Sequence, residues 1–337
     1  MTTTDRPTTG QTTTGRSGSP RPPGTTPSSD VRRVGIAVAG LTAVISGFSV
    51  FVNGYGVQRF DDPTTYTTAK NLVAAALITT VLVVWRHVGR PSVLPADEPG
   101  PELGTGRRRL SLAAIAVIGG SVPFVLFFEG LTRVSSSDAA FIHKTLVAWV
   151  AVLGVVLLRE RLSLPHYLAI GLILVGYATL AGGVGFPVLG AGEALILVAT
   201  LCWSFEVVVA RAVLRHGVGE LAVSTSRMLG GVGILLAWAV VRGAAGDLLA
   251  LSAEQWRWAA VTGILLSAYV ITWHNALARA QAVDVTAMLV VGAVITALLN
   301  TGVRDLPLRP VGVVLIGLGG LVVAASGLRP RSAVRPA

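Results

Sequence analysis

The stretch FIHKTLVAWV, residues 141–150, sets a histidine and a lysine side by side in an otherwise apolar run. Of the 27 lysines and arginines in the chain only Lys70 and Lys144 are lysines, and both fall within long hydrophobic runs. An ammonium at the centre of a bilayer costs at least about 2.5–3.5 kcal/mol. Lys144 stands about seven residues into its run, which at the helical rise is ~10 Å from the nearer end. A snorkelling stem would have to cover most of that distance. The depth therefore favours a cavity-facing lysine that meets a phosphate or carboxylate, or that carries a proton. His143 lies ~100° further round the helix, so the two cannot both point straight into one cavity. A hydrogen bond between helices and a pH-sensing role are both open to it.

Other polar residues inside apolar runs extend the set. Lys70 and Arg227 each sit roughly five residues inside the start of a run. They either snorkel or line the two entrances of a cavity and attract anions, with Asn53 as a neutral partner for Lys70. Glu206 lies at a depth similar to that of Arg227 on the preceding run. The first expectation is a structural ion pair between them; the sharper alternative is a carboxylate that couples transport to protons. Phe124, Phe127 and Phe128 correspond to the region of Tyr269, Trp273 and His274, either as packing or as rings that stack on a ligand. Glu129 and Asn275 occupy equivalent positions and could gate such a cavity. Asp138 and Asp284 begin helices, where capping and the helix dipole explain them. The candidate binding residues are thus Lys144, His143, Lys70, Arg227, Glu206, Phe127, Trp273 and His274.

Much chemistry is not signalled. There is no H-E-x-x-H metal motif and no nucleophile–base signature, and neither a metal nor a cofactor is expected. The glycine-rich tracts GGVG (182–185 and 230–233) and GLGG (317–320) have no following Lys-Ser/Thr, so they read as close helix packing rather than phosphate loops. The single cysteine, Cys202, excludes an intramolecular disulfide and reads as a small packing residue.

The elements that must position these residues are membrane helices. The chain is 52% hydrophobic and 13% charged, with a mean hydropathy of +0.69; soluble domains carry about twice that charge. Ten continuous apolar segments are expected, at 34–57, 65–85, 110–131, 137–157, 164–184, 190–211, 220–241, 256–278, 284–303 and 309–328. Residues 1–30 read as a disordered tail, 88–109 as a polar loop and 329–337 as a second tail. The net charge of +10 raises nucleic acid as a partner, but the basic residues cluster at the ends of apolar runs. Placing the N-terminus in the cytoplasm puts 18 of them inside and 6 outside, which orients both termini inward in the cell membrane.

The two halves repeat. LTRVSSSD (131–138) matches LARAQAVD (277–284), LRERLSL (158–164) matches VRDLPL (303–308), and Lys70 falls opposite Arg227. With five spans each, an odd number, the second half (190–328) must be inverted relative to the first (34–184). Inverted repeats are a transporter signature, with the site near the midplane.

Two stretches carry a family likeness: ALILVATLCWSFEVVVARAVL (194–214), and TLVAWVAVLGVVLLRERLSLPHYLAIGLILVGYATL (145–180) with its turn Arg159-Glu160-Arg161-Leu162. They resemble the drug/metabolite transporter superfamily, in its EamA branch, over roughly 34–328. The resemblance implies an all-α, ten-helix exporter or exchanger with a central cavity. Members of that superfamily handle amino acids, nucleotide sugars, sugar phosphates and toxic cations. IHKT at 142–145 departs from the small residues and proline usual there, which turns the expectation toward an anionic or zwitterionic metabolite. The alternatives are a lipid-carrier flippase, an exporter of aromatic or cationic compounds and, last, an integral-membrane enzyme. The expected partners are a small-molecule substrate, membrane lipids and a second copy of the chain.

Overall fold

The computed structural model describes residues 29–88, 103–134, 136–181, 190–304 and 307–328. The expected tails before residue 29 and after residue 328, and most of the polar loop near residue 100, lie outside them. Every regular element among the described residues is helical. Eight helices among the described residues are long and apolar enough to cross a membrane: α1 (Asp30–Arg59), α2 (Pro63–His87), α3 (Thr105–Leu131), α4 (Asp138–Leu158), α6 (Ala191–Arg215), α7 (Glu220–Val241), α8 (Ala253–Arg279) and α9 (Ala282–Val303). Two further apolar helices, α5 (Leu164–Leu180) and α10 (Pro310–Ser326), are shorter than that. Several helices run a turn beyond the expected apolar segments. The apolar run marks the thickness of hydrocarbon, whereas charged residues such as Arg215 and Glu254 continue the same helix beyond it.

Local signals set the ends. Asp62 caps α2, its side chain accepting from the Thr65 amide at 2.8 Å, with Pro63 in the first turn. Ser252 and Gln255 form a reciprocal capping box that starts α8. At the end of α4, Arg159 adopts a left-handed conformation with φ 53°, and the Glu160 amide reaches back to Gly154 O at 3.0 Å. That turn reverses the chain and carries the Glu160 carboxylate beneath the bundle.

Packing follows an exchange rule. α1 lies along α8 as α6 lies along α3; α1 meets α9 as α6 meets α4; α2 meets α8 as α7 meets α3; and α5 pairs with α10. Each contact becomes its counterpart when first-half and second-half helices are exchanged, as a two-fold relation between the halves requires. Since lipid offers no hydrophobic drive between helices, close approach depends on small residues. In the α5–α10 pair, a Cβ on Gly312 would lie 2.7 Å from Gly176 O and 2.7 Å from the Leu180 nitrogen.

Gly312→Val is accordingly expected to destabilise the protein by about 1–3 kcal/mol through overpacking. Gly171→Ala, on α5 but facing open space, should be neutral or stabilise by roughly 0.5–1 kcal/mol through helix propensity. Thermal unfolding in detergent separates the two; an unchanged midpoint for Gly312→Val would remove the close-approach account.

Candidate functional site

A cavity of about 230 Å³ lies between the halves. α1 contributes Ser46 and Ser49, α4 His143 and Lys144, α6 Trp203 and Glu206, α7 Arg227, α8 Tyr269 and Trp273, and α9 Thr286 and Leu289. A second chamber of about 260 Å³ shares Lys144, Ser46, Val50 and Leu289 with the first. It continues past Thr296 and Asn300 to Arg309, at the end where α9 gives way to α10. Lys144 stands where the two chambers join. Among the described residues its ammonium has no hydrogen bond and no ion pair.

The backbone beneath Lys144 is irregular. The Thr145 amide is shared between Phe141 O and Ile142 O, both at 3.2 Å, so the helix tightens by a 3₁₀-like step. α9 tightens likewise at Val291, whose amide donates to Met288 O at 3.1 Å. From Thr145 to Val291 is 146 residues, the same offset as from Asp138 to Asp284. Interrupted helices at corresponding positions of two halves are a feature of transporter binding sites. α7 contains a wider irregularity, a π-helical turn at Ser226–Gly230, and Arg227 sits in it.

Glu206 is buried against Gly119 of α3, where a Cβ would collide with it. Its Oε1 lies 3.7 Å from Arg227 Nε and 3.7 Å from His274 Nε2, an ion-pair distance just beyond hydrogen-bond reach. His274 Nδ1 meets Ser224 Oγ at 2.8 Å. Aromatic rings form the walls. His143 contacts Trp203 with centroids 4.9 Å apart and Phe127 at 5.6 Å, and Tyr269 stacks on Trp273 at 6.0 Å.

Five of the residues expected from sequence thus line one cavity: Lys144, His143, Glu206, Arg227 and Trp273. His274 stands behind Glu206, and Phe127 behind His143, with Phe124 taking the lining position. Lys70 lies outside both chambers. Its Nζ donates to Asn53 Oδ1 at 3.0 Å and lies 5.0 Å from the Tyr66 ring centroid. Glu129 pairs with Arg242 and, at 3.6 Å, with Arg133 in an exposed group. Asn275 accepts from Arg279 Nη1 at 2.8 Å, toward the other end of the bundle.

At that other end lies a cluster not anticipated as a unit. Asp284 accepts from Arg32 Nη2 of α1 at 3.0 Å and contacts His166 Nε2 of α5 at 3.0 Å. Because the Ser163 amide donates to His166 Nδ1 at 3.0 Å, the ring proton belongs on Nε2, facing Asp284. Glu160 lies 3.6 Å from Arg211 and accepts from the Ala282 amide at 3.1 Å. Burial pushes its carboxyl above the ordinary range, against the opposing pull of Arg211 and the Ala282 amide. Arg279 and Glu220 pair at 3.0 Å. All seven charged or imidazole side chains are buried, and the Arg32, His166 and Glu160 contacts join one half of the chain to the other. The signal in the sequence was a carboxylate beside arginines at several adjacent helix ends; it read as capping and orientation charge.

The model of the EamA-like transporter family matches residues 33–182 and again residues 190–326. No curated protein matches the sequence. The chain is similar to a solved structure described as "Crystal structure of protein", at 16% identity, with a TM-score of 0.69 over 88% of this chain and 99% of the other. That likeness concerns the fold.

Asp284→Asn removes the charge shared by two buried partners and is expected to cost about 3–5 kcal/mol. Glu254→Gln breaks the exposed Arg59–Glu254 pair, 3.3 Å apart, and should cost about 0–1 kcal/mol. Equal losses in thermal unfolding would show that the buried cluster contributes no more than a surface pair.

Proposed function

The chain belongs to the EamA-like transporter family, and from that premise we propose that it is a secondary carrier of small anionic or zwitterionic metabolites. On this reading ten helices cross the cytoplasmic membrane, the second five inverted, and both termini are cytoplasmic. The cavity alternates between the two sides, driven by an ion gradient or by exchange. The buried charge cluster is then the closed cytoplasmic end, and the chamber reaching Arg309 faces outward.

The observation that carries the reading is the ammonium of Lys144, placed on the cavity wall with no partner among the described residues. A cation in such surroundings needs a counter-charge, and a substrate anion supplies it. The rings of Trp203, Tyr269 and Trp273 offer apolar faces to the rest of the molecule. Lysine also suits release. Arginine presents a rigid fork that holds carboxylate or phosphate in two hydrogen bonds, whereas an ammonium is a mobile point charge. A carrier must let go as well as bind.

Lys144→Ala is expected to lose about 2–5 kcal/mol of substrate affinity and with it transport, while the protein still inserts. Lys144→Arg should keep binding and slow turnover. Comparing metabolites in medium and cell extract, with and without the gene, identifies the transported anion; its flux is then measured for each variant at equal membrane abundance. Wild-type flux from Lys144→Ala would reduce the residue to a tolerated charge.

A further inference from the structure

Glu206 Oε1, Arg227 Nε and His274 Nε2 converge in one place, all three buried, and none makes a hydrogen bond. Glu206 is only 1% exposed, so its charge depends on the cation beside it. Arg227 lines the cavity, and no hydrogen bond to its terminal guanidinium nitrogens exists among the described residues. It therefore offers a substrate anion a free fork while serving as the charge partner of Glu206. The two demands compete.

We propose that Glu206 is the proton-coupling carboxylate: an anion that occupies Arg227 leaves Glu206 to take up one proton from the medium. This rests on the anion-carrier reading above. The balance is simple. Before binding, the Arg227 cation faces the Glu206 carboxylate; afterwards it faces the substrate anion, and the carboxylate plus one proton has become a neutral carboxyl. No electrons move, and the buried charge sums to the same value in both states. His274 receives the new O–H. In that state the tautomer that donates Nδ1–H to Ser224 Oγ, 2.8 Å away, leaves Nε2 as the acceptor facing Glu206. Proton and anion consequently travel together in the same direction.

The groups facing Glu206 are few. α7 contributes Arg227, and α8 contributes His274 and Tyr269. α3 presents only the backbone of Gly119. Across the cavity α4 presents His143 and Lys144, and Glu220 acts electrostatically on His274 from behind. Arg227 is the only one of these within ion-pair distance of Glu206 that carries a permanent positive charge, so its loss to a substrate has no local replacement.

The test is infrared difference spectroscopy on protein reconstituted in lipid at neutral pH. Arg227→Gln, which imitates an occupied Arg227, should gain the carbonyl stretch of one protonated carboxylic acid relative to wild type. Arg227→Lys, which keeps a cation there, should not, and the double variant Arg227→Gln/Glu206→Gln should lose the new band. Absence of the band in Arg227→Gln overturns the proposal. So does persistence in the double variant, which would assign it to another carboxyl. As an independent check on unaltered protein, benzoate bound by wild type, followed by titration calorimetry, should raise the same band and take up one proton per anion. Binding without the band overturns coupling. The Arg227→Gln measurement involves no ligand, so its failure leaves the anion reading intact, while failure of the Lys144 series would overturn that reading and leave the band unaffected.

Discussion

Charge shut away from water at one end of the bundle is the constraint on which the rest depends. Asp284 has no solvent of its own and is held by Arg32 from α1 and His166 from α5. Glu160 is held by Arg211 and by the first amide of α9. Removing one member of such a set strands the other in low dielectric, where water cannot compensate it. The pairs at the far end, Arg59–Glu254 and the Glu129 group, stand in solvent and are cheap to part. The two ends are thus unequal closures, and the cavity lies under the strong one and reaches toward the weak one. A motion that reversed this would have to break buried pairs together, because Asp284 and Glu160 act on the same end of α9.

The scaffold is close to two-fold, but its chemistry is not. Helix contacts exchange between halves, and the tightened turns at Thr145 and Val291 occupy equivalent positions. Yet the residue before Thr145 is Lys144, and the residue before Val291 is Val290. Both line the central cavity, one cationic and one apolar. Similarly, α7 brings Arg227 to the cavity on a π-helical turn, while Lys70, its counterpart in α2, is engaged by Asn53 and Tyr66 away from it. Symmetry places the walls, and departures from it decide what the walls attract.

The helices were legible because lipid leaves the backbone one way to satisfy itself, and that forces long uninterrupted apolar runs. For the same reason the polar residues inside those runs stood out, and Lys144, His143, Glu206, Arg227 and Trp273 meet at the cavity. What single runs could not convey was rotation. Phe124 and Phe127 lie on the same helix, and only packing against α6 decides that Phe124 faces the cavity and Phe127 the back of His143. Lys70 and Lys144 look alike as isolated cations; the difference is Asn53, seventeen residues earlier in sequence and 3.0 Å away in space. The charge cluster was hidden for another reason. Arginines at helix ends carry the orientation signal whether or not they are buried, so Arg32 and Arg211 looked no different from Arg33 and Arg215.

The paired turns also separate what the two halves share from what they do not. One family model matches each half separately, as expected of a chain made by duplicating a five-helix ancestor. A feature present at the same offset in both halves belongs to their common plan, and a feature found in one half alone marks where they differ. By that reasoning the tightened turn belongs to the common plan, and the lysine in front of it is a point where the first half departs from the second. The charge of the wall is thus set by one side chain at a shared bend, and changing it requires no rebuilding of the helices around it.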